Sequence, residues 1–138
     1  MALHSQFTYD DSLELKAAGL VAASAAEATI LDLGAGFVQG SIVIDVSAVE
    51  VASTDEIYTI CLEGSNVAAM TSGSVTLAMQ EHGNAAAPAD ADTGTGRFVL
   101  PFTNEQNGTV YRYVRIYTRV AGTVATGINY TAFVAKNV

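Results

Sequence analysis

The stretch Thr109–Val120, TVYRYVRIYTRV, holds three of the chain's six basic residues (Arg112, Arg115, Arg119) and three of its six tyrosines (Tyr111, Tyr113, Tyr117). A strand sends successive side chains to opposite faces. With that period, Val110, Val114, Ile116 and Val120 share one face, interrupted by Arg112 and Thr118, while Tyr111, Tyr113, Arg115, Tyr117 and Arg119 share the other. β-Branched and aromatic side chains suit a half-buried pleated surface, so the stretch predicts a single strand. Its apolar face belongs to a core. Its Tyr/Arg face is either covered by the chain itself or offered to a partner.

Working outward, the same period recurs. Ile128–Lys136 aligns Ile128, Tyr130, Ala132 and Val134, and Arg97–Phe102 aligns Phe98, Leu100 and Phe102, with Pro101 on the opposite parity marking an edge or a strand end. In 40–52, Ile42, Ile44 and Val46 share a face, but Val49 and Val51 fall on the other, which predicts a bulge or bend near Ser47–Ala48. Residues 55–62 align Tyr58, Ile60 and Leu62, residues 74–80 align Val75, Leu77 and Met79 as core, and 29–33 forms a further short strand. Residues 83–96, GNAAAPADADTGTG, form a long loop with nothing to anchor a core. Residues 12–28 are ambiguous: their alanines and leucines favour helix, but Gly19, Ser24 and the lack of an apolar stripe oppose one, leaving an extended entry. Residues 1–26 are therefore expected to be an N-terminal arm and entry, with Phe7 and Tyr9 able to dock, and residues 27–138 a β-sandwich domain. Seven strands and a possible eighth, with no alternating helices, select an all-β antiparallel sandwich. With one cysteine and no tryptophan the immunoglobulin pattern is missing, which favours an eight-stranded jelly roll with an extended N-terminal arm.

The composition narrows the chemistry. A net charge of −8 opposes contact with nucleic acid. No apolar run approaches the ~18 residues of a membrane-spanning helix. The run Ala17–Ala26 has a signal peptide's apolar character, but Asp10, Asp11 and Glu14 stand where positive charge belongs, so secretion is not expected and the Asn107 and Asn129 sequons are chance matches. Cys61 is a lone thiol in an apolar run, a core or half-core residue. His4 lies in the arm, and His82 is expected to be a solvated strand-end residue. Asp90 and Asp92 beside Gly94 have the spacing of a calcium loop but lack its remaining ligands. The adjacent acids Asp10-Asp11 and Asp55-Glu56 are expected to solubilise or cap. No catalytic residue, metal site or cofactor is expected.

Two stretches, GLVAASAAEATILDLGAG (19–36) and RFVLPF with YRYVRIYTRVAGTVATGINYTAFVAKNV (97–138), resemble the small jelly-roll cement, or decoration, proteins of tailed-bacteriophage capsids. They span somewhat under half the chain, and their motifs are structural. The resemblance implies a non-enzymatic protein, made in the bacterial host cytoplasm and bound as a homodimer or homotrimer to the outer capsid surface of the virion. There it would clamp subunits of the major capsid protein, without nucleic-acid or membrane partners. Tyr111, Tyr113, Arg115, Tyr117 and Arg119, with Phe7 and Tyr9 of the reaching arm, are the expected contact residues. A glycan-binding or host-adhesion jelly roll is the alternative, although the loops carry no aromatic platform.

Overall fold

Each alternating segment must bury its apolar face against another, and the computed structural model, which describes residues 10–83 and 94–136, does this with two antiparallel sheets packed face to face. A 3-10 turn, Asp11–Leu13, precedes β1 (Glu14–Lys16), β2 (Leu20–Val21), β3 (Ala25–Ala26), β4 (Leu31–Asp32), β5 (Gln39–Val49), β6 (Ile57–Ser65), β7 (Val75–His82), β8 (Gly96–Thr103), β9 (Glu105–Gln106), β10 (Thr109–Val110), β11 (Tyr113–Ala121) and β12 (Ile128–Lys136). The first sheet runs β1-β12-β5-β8, with β2 also on β12; the second runs β3-β11-β6-β7, with β4 also on β11. If β1 with β2 and β3 with β4 are each taken as one interrupted column, consecutive columns wind between the sheets in a jelly-roll-like order. The all-β antiparallel sandwich is therefore the fold. Its core joins Ile42, Ile44, Tyr130, Ala132 and Val134 of the first sheet to Tyr58, Ile60, Leu62, Val114 and Ile116 of the second.

The expected bulge lies at Ser47. Asn129 pairs with Ala48 and Tyr130 with Val46, so Ser47 is the extra residue, and its insertion lets Val49 join the core after the parity change. Pro101 lies on β8, at the edge of the first sheet and opposite Ser41, the kind of strand to which proline is confined.

Three expectations need correction. First, 109–120 is not one strand. Thr109–Val110 pairs with Glu105–Gln106 around Asn107 and Gly108, whose φ values of 53° and 80° are those of a two-residue hairpin turn. The buried Asn104 holds the break: its carbonyl accepts from the Tyr111 N–H at 2.7 Å, and its Nδ2 donates to the Tyr111 and Gly36 carbonyls, each at 2.9 Å. Second, Leu77 and Met79 do not share the core. A register shift between Leu62 and Glu63 turns Leu77 toward the core and leaves Met79 outward, 60% exposed. Third, His82 is buried rather than solvated.

Residues 14–26 supply edge strands to both sheets. Leu15 is fully buried in the core, and Lys16 is buried beside it, its Nζ donating at 3.0 Å to the carbonyls of Ala17, Gly19 and Tyr130 and lying 4.5 Å from the Tyr130 ring. β2 reaches β12 because Gly127, at φ 92°, has no Cβ; one there would lie 2.0 Å from the Val21 carbonyl oxygen.

Candidate interaction surface

Because β11 buries Val114, Ile116 and Thr118, its alternate residues Tyr113, Arg115, Tyr117 and Arg119 must point away from the core, onto the outer face of the second sheet. Register extends each position across the sheet. Tyr117 lies beside Cys61 and Cys61 beside Met79; Arg119 lies beside Thr59 and Thr59 beside Glu81; Arg115 lies beside Glu63 and Glu63 beside Thr76. Thr118, which interrupts the inner face, is satisfied there by a hydrogen bond with the Tyr130 hydroxyl.

The charges on this outer face differ in what they do. Arg115 Nε donates to Glu63 Oε2 at 3.1 Å in a half-buried pair, so its charge is neutralised within the sheet. Arg112, just before β11, grips Asp32 with two bonds of 2.7 and 2.9 Å and stacks 5.4 Å from the Tyr113 ring. The Arg112 hydrogen bond, helped by the Gly34 N–H, holds the Asp32 carboxyl down at about 2. Arg119 and Glu81 are exposed, and neither makes an ion pair or hydrogen bond among the described residues. Cys61 is half-buried between Tyr117 and Met79; burial pushes its thiol pKa up, Glu63 adds to this and Arg119 partly opposes it.

Of the residues singled out by sequence, Tyr113, Arg115, Tyr117 and Arg119 share this face. Tyr111 is set apart, half-buried where its Cβ would meet one added to Gly64 at 3.1 Å. Phe7 and Tyr9, with Asp90 and Asp92, lie outside the described residues. Sequence reasoning missed Met79 and Glu81, which reach the face only through the bulge at Leu77; nothing in the local pattern marks it.

The remaining polar groups are structural in their contacts. Glu50 accepts from the N–H groups of Ala125, Thr126 and Gly127, and Asp55 accepts from the N–H and hydroxyl of Thr123, so two carboxylates hold the 122–127 turn. Glu56, expected to solubilise or cap, is fully buried and accepts from the Ser53 N–H at 2.6 Å. His82 donates from Nε2 to Gln80 Oε1 at 3.1 Å and packs edge-on against Phe98, and burial lowers its pKa. Among the described residues, no three His, Cys, Asp or Glu side chains are grouped to hold a metal ion. An open cleft of about 290 Å³ lies between the β7 and β8 edges, lined by Leu77, Pro101 and Phe102 among others.

Comparison with known proteins leaves the surface to be read on its own chemistry: no protein-family model matches the chain, and no curated protein matches it significantly.

Proposed function

We propose that this protein is a non-enzymatic structural component that binds the outer surface of a phage capsid as a homo-oligomer and stabilises the lattice of the major capsid protein. One observation carries the proposal: the outer face of the second sheet presents Tyr113, Tyr117 and Met79 around a neutralised Arg115–Glu63 pair, with Arg119 and Glu81 left unpaired among the described residues. Tyrosine, methionine and arginine are the residue types enriched where protein surfaces meet, because they combine large area with directed hydrogen bonds. An acidic chain with local arginines suits a protein partner better than a phosphate backbone. The cement-protein resemblance of 19–36 and 97–138 supplies the kind of partner.

The mechanism is linkage. A protein that binds the assembled shell and not its free subunits stabilises that shell by mass action, by about 2.7 kcal/mol per site at a hundredfold excess over Kd. Repetition on a symmetric lattice adds avidity to contacts that are individually weak.

Co-sedimentation with expanded, undecorated capsids, followed by heating with and without the protein, tests the proposal. Saturable binding and a raised disruption temperature are expected, and both should be reduced by Arg115→Glu combined with Tyr117→Ala. A well-folded protein that leaves capsids untouched would overturn the proposal. The adhesion alternative would then be taken up with glycan-binding assays.

A further inference from the structure

The outer face of the second sheet is self-complementary about one particular axis. Its rows, read from the register, are Tyr117–Cys61–Met79 and Arg119–Thr59–Glu81, with β6 as the middle column. We propose that this face closes on the same face of a second copy, about a two-fold axis running parallel to β6.

Rotation about that axis keeps each residue at its height along the strands and exchanges the flanking columns β11 and β7. Arg119 of one copy is thereby brought over the second copy's Glu81, and the reciprocal pair forms by symmetry. Tyr117 is brought over Met79, an aromatic–thioether contact that covers a methionine left 60% exposed. Cys61 and Glu63 lie at the axis and each meets its own counterpart, the Glu63 charge being already neutralised by Arg115, while Arg115 itself is brought over Thr76.

The competing two-fold, running across the strands through the Tyr117–Cys61–Met79 row, keeps the columns and reverses the heights. It places Arg119 over Arg115 and leaves Glu81 over Thr76. Charge complementarity therefore selects the axis along β6. Arg119 and Glu81 are also charges on this face that the chain leaves unpaired among its described residues, as expected of groups whose partners lie on another molecule.

The face is small. About this axis three columns overlap, β11, β6 and β7, and at about 4.8 Å apart and nine residues long they give about 14 Å by 26 Å, or roughly 370 Å² per copy. Stable complexes bury about 800 Å² per partner, so dissociation in the range of tens to hundreds of micromolar is expected in free solution (order of magnitude). On a lattice the effective concentration is far higher. The inference rests on the homo-oligomeric reading above and assigns it a surface and an axis.

The test is sedimentation equilibrium of the free protein across that concentration range, with Arg119→Glu, Glu81→Arg and an equimolar mixture of the two variants. The wild type should dimerise, and each variant alone should associate at least tenfold more weakly, because both symmetric contacts become repulsive. The mixture should recover wild-type affinity: in a dimer of one variant with the other, one contact joins the two introduced charges, which are opposite, and the other keeps the native Arg119–Glu81 pair. A change that acted only on folding would not be rescued in trans. A wild type that stays monomeric or forms a trimer, variants that associate as the wild type does, or a mixture that fails to recover would each overturn the proposal. No capsid enters this experiment, so a protein that fails here and still co-sediments with capsids loses the axis and keeps the capsid role.

Discussion

Leu15→Ala is expected to destabilise the protein by about 3 kcal/mol. The substitution removes three carbons worth about 0.8 kcal/mol each on transfer from water, and the cavity left behind brings measured costs at fully buried leucines to about 2–5 kcal/mol. Leu15 is fully buried in the same cluster as Tyr130 and Ile116. For a chain of 138 residues, each kcal/mol lowers Tm by about 3–5 °C, so a drop of roughly 10 °C is expected. Leu20→Ala, five residues along and 59% exposed, is the control and should stay within about 0.5 kcal/mol of wild type. Urea unfolding followed by far-UV circular dichroism gives both values. The two leucines have similar propensity and lie in the same ambiguous stretch, so only their packing separates them. If Leu15→Ala cost less than about 1 kcal/mol, residues 14–16 would be a detachable arm and not an edge of the first sheet, and the reasoning would be refuted.

Thr118→Val should cost about 1–3 kcal/mol, because it leaves the buried Tyr130 hydroxyl without its partner; adding Tyr130→Phe should cost less than the sum of the two single changes, a non-additivity that urea denaturation of the four proteins would measure. His82 sets a pH dependence. Burial holds its folded pKa below the ordinary 6.5, so as pH falls through about 6.5 the unfolded chain takes up a proton that the folded one refuses. This contribution to stability is full above that pH and declines until the folded imidazole titrates. Urea midpoints should fall between about pH 7 and pH 5 in the wild type, and less steeply in His82→Gln. Gly127→Ala should lose at least about 2 kcal/mol, since its Cβ would meet the Val21 carbonyl at a positive φ, whereas Gly19→Ala, with nothing within 4 Å, should be near neutral in thermal unfolding.

What was legible in this sequence was whatever a period of two can carry. Ile42, Ile44 and Val46 announced an inner face, and the parity change after Val46 announced the extra residue, because one inserted residue flips every side chain that follows. Leu77 hid the same device. Met79 follows it at an interval that looks like simple alternation, and only the pairing with β6 shows that Leu77 is the bulged residue. The break before β11 had a signal that the apolar pattern outweighed: Asn107-Gly108 is a two-residue hairpin turn, and Val110 belongs to its outgoing arm. Residues 14–26 were illegible for a different reason. Strands of two and three residues show no period, and Lys16 is buried because carbonyls from its own turn and from distant Tyr130 surround its ammonium. Burial of that kind is decided by tertiary contacts. His82 follows the same logic, since its packing partner Phe98 belongs to the other sheet.

The two outer faces of the sandwich are chemically unlike, and the difference bears on which one is better suited to a partner. On the first sheet, Val43, Phe133 and Ala135 point outward yet are at most 3% exposed. Beside them Arg97 is held by Asp45 through two hydrogen bonds and lies 5.8 Å from the Phe133 ring, so its charge is already engaged. Exposed ion pairs of this kind contribute little, about 0–1 kcal/mol, but they remove a charge from the set available to a partner. The second sheet is in the opposite condition: Met79 is open to solvent, and Arg119 and Glu81, two strands apart in one row, have no side-chain ion pair or hydrogen bond among the described residues. A partner bound to the first face would displace contacts the chain already makes, whereas a partner bound to the second would complete contacts the chain leaves open. On the self-association proposed above, the second sheet is the face with more to gain, and Arg119 and Glu81 are the positions at which association should be most sensitive to substitution.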